Sequence, residues 1–384
     1  MHSVFRLVLL LLTRFGLVRI IQLSPKGRIT QFLERTEPFA RRKRIRLKWF
    51  PPILIGVHVT SSPNEAIEEY MADRMVFVDH QSSSMFSRVI RRCSNSIPDQ
   101  LGRRFLLVEH VGPEWEMPPS LRRVEDWTSE TDDLLKQMGV GRRTPFVLLA
   151  LRDAAYYSSI RAKQGDAAGI ETSSDFDIRN PNPLNYLAAV KQLKQHGFEV
   201  IYFGYPTSPL PPQVASEVID YSGQFRTERG DLLLGRACTM LLSGASGAWT
   251  FAKLFDRPIA HADNYSQVAT TAPLSQRDRL QPVLYWSHSK RRLLTFREMM
   301  IVGLKYTSQS ACEQDGVVLI KNSPEELAAL ALEVIERNRG SFVAEDRDME
   351  LSERFSALQA EFAPGKSLYP IASTFLRKYA DLLD

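Results

Sequence analysis

Residues 238–258 read Cys-Thr-Met-Leu-Leu-Ser-Gly-Ala-Ser-Gly-Ala-Trp-Thr-Phe-Ala-Lys-Leu-Phe-Asp-Arg-Pro. Residues 238–242 predict a buried strand, and residues 248–255 a helix that stops before Pro258. Between them lies the turn Ser243-Gly244-Ala245-Ser246-Gly247. Free N–H groups at a helix start carry about half a positive charge and suit an anion. Glycines let a phosphate approach the backbone, and Ser243 or Ser246 adds a hydroxyl. A tight turn capped by serine is the plainer alternative. A third reading uses the same residues. Gly244-Ala245-Ser246-Gly247-Ala248 resembles the nucleophile elbow of an α/β-hydrolase, with Ala248 in place of the second outer glycine. The triad would then run Ser246, Asp263 or Asp278, and His288.

Working outward, residues 146–151 form a continuous apolar run of buried-strand length, followed at once by Arg152-Asp153. An arginine there suits a diphosphate, and Asp153 suits an orienting group or a base; a structural ion pair is the alternative. The polar stretch 158–183 is long for a loop and contains Asp175, Asp177 and Arg179. Residues 185–196 predict a helix, with Leu187, Val190 and Leu193 on one face and Gly197 as its stop. Residues 198–203 predict the next strand, ending at Gly204-Tyr205, where a tyrosine can flank a base or sugar. Further helices are expected at 230–237 and strands at 258–261 and 317–320. Ser323-Pro324-Glu325-Glu326 opens a helix with a capping box, and Leu327, Leu330 and Val334 supply its buried face.

Before residue 143 the same alternation is fainter. Pro51-Pro52 closes the N-terminal segment. Strands are expected at 53–60, 75–78 and 104–108, helices at 64–74 and 126–138, and a proline-rich loop at 112–120. Alternating strands and helices give parallel sheets. The expected fold is therefore α/β, with two doubly wound Rossmann-like domains and a cleft between them. Ligands in such sheets sit beyond the carboxyl ends of the strands.

The chain has 384 residues, 44% hydrophobic and 24% charged, which excludes a disordered or fibrous protein. Its formal charge of +5 is unevenly placed: residues 1–50 hold 12 Lys/Arg and 2 Asp/Glu, and the remainder is mildly acidic. A nucleic-acid binder carries its basic stripe on a folded face. Here the charge, including Arg41, Arg42, Lys43, Arg44 and Arg46, adjoins an apolar run at residues 7–12, which points to an anionic membrane surface and not to nucleic acid. A terminal helix packed on the body is the alternative. Arg6 and Arg14 lie near one helical face; Arg19 falls on another. A spanning helix needs about 20 apolar residues, so none is expected. Cys93, Cys238 and Cys312 stand apart and show neither a disulfide framework nor a zinc motif.

The ordered set of motifs resembles a family of glycosyltransferases from bacterial surface-polysaccharide clusters. The resemblance rests on Leu151-Arg152-Asp153-Ala154-Ala155-Tyr156, Ser174-Asp175-Phe176-Asp177-Ile178-Arg179 and Ile201-Tyr202-Phe203-Gly204. It continues through Ser243-Gly244-Ala245-Ser246-Gly247, Phe255-Asp256-Arg257-Pro258 and Leu294-Thr295-Phe296-Arg297-Glu298. It covers residues 145–340, and each motif is unspecific alone. It implies the two-domain GT-B architecture, remotely like fucosyltransferases and heptosyltransferases, with the sugar nucleotide held mainly by the C-terminal domain. Arg152 is then a diphosphate ligand, Arg179 a further one, and residues 243–247 the phosphate turn. Two departures stand out: Ala150 occupies a position where the family pattern has histidine, and the stretch at 175–179 also lacks its histidine.

The expected organisation is a basic, apolar segment over 1–50, an acceptor-side α/β domain over 51–143 and a sugar-nucleotide domain over 144–340. A helical segment over 341–384 is expected to pack back on the first domain. The expected activity is metal-independent transfer from a nucleotide-activated sugar, which is substrate and not cofactor, to a surface-polysaccharide or lipid-linked acceptor. The expected place is the cytoplasm, with a peripheral position on the inner face of the cytoplasmic membrane as the further expectation. Arg152 and Asp153 are the catalytic candidates; Arg179, Gly204, Tyr205, Ser243, Gly244, Ser246 and Gly247 are the donor-binding ones. Asp79-His80 is a second candidate base. No DxD-type metal site is evident: Asp132-Asp133 reads as an isolated helix pair, and Asp175/Asp177 is only a weak metal candidate. A noncatalytic sugar-nucleotide binder and a hydrolase with Ser246 as nucleophile are the other two classes.

Overall fold

The computed structural model describes residues 7–8, 11–12, 18–23, 53–58, 64–72, 75–78, 84–88, 90, 127–153, 178–205, 208–265, 275–303, 305–362 and 368–383. The expected features at 41–46, 79–80, 104–108, 112–120 and 175–177 lie outside these residues. The chain divides into two units, Met1–Glu125 with Arg161–Ile170, and Asp126–Ile160 with Glu171–Asp384.

In the first unit, β1 (Val18–Leu23), β2 (Ile53–His58) and β3 (Met75–Val78) form a parallel sheet in that order. Helix α1 (Glu65–Met71) links β2 to β3, and the Asn64 side chain caps it by accepting the Ile67 N–H at 3.0 Å. Val18, Ile55, Val57, Val78 and Ile90 make the core, with Leu12 packed against it. Residues 18–23 therefore depart from a purely anchoring or helical N-terminal segment. Val18 to Leu23 pairs in register with Ile53 to His58. The physical reason is local: a β-branched-rich stretch, Val18-Arg19-Ile20-Ile21-Gln22-Leu23, gains a full ladder beside β2. Arg19, which missed the helical face of Arg6 and Arg14, lies on this strand. Among the described residues no helix is long and apolar enough to cross a membrane.

In the second unit, α2 (Trp127–Gln137) precedes β4 (Phe146–Ala150). There follow α3 (Leu187–Gln195), β5 (Glu199–Tyr202), β6 (Ile219–Asp220), α4 (Glu228–Ala237) and β7 (Met240–Ser243). Then come α5 (Trp249–Leu254), β8 (Ile259–Asn264) and β9 (Arg279–Pro282), and further along α6 (Phe296–Val302) and α7 (Gln309–Asp315). These six strands form one parallel sheet in the order β6-β5-β4-β7-β8-β9. All five residues of β4 and all four of β7 are buried. Helices on both faces explain these unbroken apolar runs: α3 packs with α8 (Pro324–Arg339), and α4 with both α2 and α5. From β4 the chain winds outward through β5 and β6, then returns to build β7, β8 and β9 on the other side. The winding reverses between β4 and β7, and the crevice of such a sheet opens there.

The remaining strands differ from the expectation of parallel sheets alone. β10 (Leu284–Ser287), β11 (Arg292–Leu293) and β12 (Val317–Ile320) form a separate antiparallel sheet in the order β11-β10-β12. The two-residue β11 is too short to read from periodicity, and β12 buries Val317 but exposes Val318 and Ile320. That one-sided burial belongs to an antiparallel sheet with one solvated face. The capping box at Ser323 and Glu326 forms as the sequence predicts. The C-terminal helices α9 (Asp346–Phe362) and α10 (Ser373–Lys378) pack on each other, α9 also on Phe296–Val302 and α10 on α8, all within the second unit. Phe296 meets Phe355 edge-on at 5.1 Å, and Ile371 bridges Leu280 beside β9.

His261 on β8 is buried, and its Nδ1 has no hydrogen-bond partner among the described residues. Burial pulls its pKa from 6.5 down to about 4, against the opposing charge of Asp278. Between those values the unfolded chain takes up a proton that folded His261 refuses. Stability contributed by neutral His261 is therefore present above pH 6.5 and falls by about 3 kcal/mol as pH drops to 4. Urea unfolding of His261→Gln at pH 7 and pH 4.5 checks this: the variant should lose less stability on acidification than the parent. An identical pH slope in both would show that another group carries the effect.

Candidate functional site

The carboxyl ends of β4, β5, β7 and β8 place most of the sequence candidates along one edge of the large sheet. Arg152 and Asp153 follow β4, Gly204 and Tyr205 follow β5, and residues 243–247 follow β7. The Gly244 N–H donates to the Ala150 carbonyl at 3.1 Å, which extends the β4–β7 pairing to the point of reversal. Arg152 is 7% exposed, and its Nη1 donates to Asn180 Oδ1.

The segment 178–183 is held over this edge by its own turn chemistry. Asn182 accepts the Leu184 N–H at 3.1 Å, and Pro183 starts the 3-10 turn Pro183–Tyr186. A Cβ at Gly244 would meet the Tyr186 hydroxyl at 3.1 Å and Pro181 Cγ at 3.2 Å, so any side chain there would push against the 181–186 segment and glycine lets the two close up without strain. The result brings Arg179 and Asn180 to Arg152. The Arg179 guanidinium stands 6.0 Å from the ring centroid of Tyr265, whose hydroxyl donates to the Ile178 carbonyl at 2.8 Å.

Two further residues complete the cluster, and the sequence did not single them out for this role. Lys321, after β12, donates through Nζ to the Asn180 carbonyl. Burial holds its ammonium below the ordinary lysine range, opposed by Asp263 and reinforced by Arg152. Asp263, the penultimate residue of β8, has φ 50, a strained region for a residue other than glycine. Its N–H donates to Asn322 Oδ1 at 2.8 Å, and the Asn322 N–H donates back to Asp263 Oδ1 at 2.9 Å. The Tyr186 hydroxyl donates to Asp263 Oδ2 at 3.2 Å. Burial raises the Asp263 pKa, while the Asn322 N–H and Lys321 counteract it. Arg152, Arg179 and Lys321 thus gather around Asn180 with Asp263 the acid beside them. The signal available in the sequence was Lys321-Asn322 placed between a strand and a capped helix; only folding shows that this junction reaches Arg152.

Other candidates take different parts. Ser243 is fully buried, and its hydroxyl donates to the Gly244 carbonyl at 2.7 Å, an internal bond of the turn. The Ala248 N–H donates to Ser246 Oγ at 3.3 Å. The helix after the turn is six residues long, shorter than the expected 248–255. The turn's backbone and Gly247 therefore matter more at this edge than a long helix dipole. Asp153 accepts the Ser208 N–H at 2.6 Å and its hydroxyl at 3.3 Å, which gives it a hold on the segment after β5. Gly204 has φ 130, where a side chain is strained. The Arg226 guanidinium lies 4.7 Å from the Tyr205 ring and pairs with buried Asp231 at 2.7 Å. Asp132 pairs with Arg142 at 2.7 Å.

The hydrolase constellation does not assemble. Ser246 lacks the strained positive φ of a nucleophile elbow, being absent from the non-glycine residues Asp256, Asp263 and Arg291 that have it. His288 is exposed beside β10, with its backbone N–H on Gly316. Asp278 is fully buried on Lys253 at 2.6 Å and on the Ile259 N–H at 2.7 Å.

A doubly wound sheet with a cationic cluster at its point of reversal defines an α/β fold suited to a phosphorylated ligand. Among solved structures, the fold is similar to that of ADP-heptose LPS heptosyltransferase II from E. coli, with a TM-score of 0.50 at 13% identity, over 84% of this chain and 100% of that one. A family 9 glycosyltransferase from Veillonella parvula matches with a TM-score of 0.47 at 11% identity, over 84% of this chain and 98% of that one. The iron-containing dodecameric glycosyltransferase TibC from enterotoxigenic E. coli H10407 matches with a TM-score of 0.42 at 11% identity, over 84% of this chain and 77% of that one. No family model and no curated protein matches the sequence.

Proposed function

We propose that this chain is a glycosyltransferase that takes its sugar from a nucleotide-activated donor. The observation that carries the proposal is the convergence of Arg152, Arg179 and Lys321 beyond β4, beside the 243–247 turn. A nucleoside diphosphate leaving a sugar develops negative charge in the transition state, and preorganised cations in a partly dry site stabilise that charge without reorganising. These side chains supply the charge that a metal ion supplies elsewhere, so transfer is proposed to be metal-independent and to survive EDTA. Asn180 spaces Arg152 and Lys321, and Asp263 with Asn322 fixes the junction that carries Lys321. Asp153 acts by positioning the segment after β5, beside Gly204 and Tyr205. The acceptor, a surface-polysaccharide or lipid-linked glycan, is assigned to the N-terminal α/β domain. Its meeting place is the inner face of the cytoplasmic membrane, approached through the basic residues of 1–50.

A panel of nucleotides and nucleotide sugars in thermal-shift titration tests the donor reading. One nucleotide sugar should raise the melting temperature in a saturable way, and its free nucleoside diphosphate should do so too. No stabilisation by any of them would overturn the proposal. Ala150, buried in β4 where the family pattern has histidine, favours one rival: binding without turnover. Saturable binding with no transfer to any acceptor would establish that rival.

A further inference from the structure

The small antiparallel sheet buries one face and leaves the other apolar. On the inner face Tyr285, Ser287 and Val317 are buried. On the outer face Trp286 lies opposite Val318, and Trp286, Val318 and Ile320 are 36%, 43% and 40% exposed. A solvated sheet face ordinarily carries polar residues. Folding alone gives no reason for three large apolar side chains here.

The turn that joins β10 to β11 adds charge at the edge of this face. Lys290, Arg291 and Arg292 are all exposed. Glu298 pairs with Lys290 at 2.5 Å and with Arg292 at 2.7 Å, so two of the three cations share one acid and the cluster keeps an excess of positive charge. Arg291 projects from a left-handed backbone position, φ 52, at the tip of the turn. A tryptophan with neighbouring aliphatics, rimmed by excess Lys and Arg, matches the interface of an anionic bilayer: the ring sits at headgroup depth and the cations meet lipid phosphates.

We propose that the outer face of β10 and β12, with the 288–291 turn, docks on an anionic lipid bilayer. The proposal does not rest on the transferase reading, because its residues lie outside the cationic cluster and its test needs no turnover. It is also separate from the basic stretch at 41–46.

Flotation of the full chain with phosphatidylcholine vesicles that contain phosphatidylglycerol, set against vesicles of phosphatidylcholine alone, tests it. Arg291→Ala should weaken binding about fivefold, the effect of one basic residue near such a surface. Brominated lipid tails should quench part of the parent's fluorescence, and Trp286→Phe should clearly reduce that quenching while the fold, judged by thermal melting, stays unchanged. Affinity unaltered in Arg291→Ala, or quenching undiminished in Trp286→Phe, would overturn the proposal. So would equal binding to neutral vesicles. A dimer in solution that Trp286→Ser dissociates would assign the face to a second copy of the chain instead.

Discussion

Replacing Lys253 by alanine is expected to cost about 3–5 kcal/mol of stability, the usual loss when one partner of a buried ion pair is removed. Lys253 and Asp278 are 1% and 0% exposed, and Nζ stands 2.6 Å from Oδ2. The same carboxylate accepts the Ile259 N–H at 2.7 Å and the Ser275 hydroxyl at 2.9 Å, so it ties the start of β8 to the segment before β9. Lys253→Ala strands a buried charge and removes the packing of the lysine stem. The double variant Lys253→Met/Asp278→Asn should recover much of the loss: methionine refills the volume, and the amide oxygen still accepts from Ile259. Urea unfolding measures both, and a midpoint unchanged in Lys253→Ala would refute a structural role for the pair.

Arg152→Ala is expected to weaken binding of the cognate nucleoside diphosphate roughly 100-fold, since charge-assisted hydrogen bonds contribute about 1.5–3 kcal/mol each. Arg152→Lys should restore little of it, because an ammonium cannot reproduce the guanidinium's fork. Lys321→Met should weaken the same ligand by a smaller factor and leave the thermal melt of the free protein near the parent's, as Lys321 makes its contact at the edge of the sheet with the Asn180 carbonyl. Calorimetric titration separates these outcomes. If Arg152→Ala binds as the parent does, the diphosphate site lies elsewhere, whatever the fate of the bilayer face.

Much of this architecture is legible in the residues themselves. The apolar runs of β4 and β7 announce strands covered on both faces, and Ser323-Pro324-Glu325-Glu326 announces its helix, because caps and period act over a few neighbouring residues. The 18–23 strand is not legible in the sequence, for the opposite reason. Its partner β2 lies some thirty residues on, and nothing local distinguishes a strand that needs that partner from the end of an amphipathic segment. β11, two residues long, gave no period to read. Ser243 reads as a candidate ligand hydroxyl, and only the fold shows that its hydroxyl donates to the Gly244 carbonyl.

The sequence by itself determined that strands and helices alternate, that Arg152 and a glycine-serine turn stand at strand ends, and that Arg179 lies in the polar stretch before the next helix. Tertiary structure alone decided that these ends converge. It set the strand order β6-β5-β4-β7-β8-β9, brought Lys321 from 141 positions away to Asn180, and locked Asp263 to Asn322. Capping, periodicity and turn chemistry are short-range and can be read along the chain. Strand order and the meeting of buried charges depend on which apolar faces cover which, and that is settled only when the whole sheet packs.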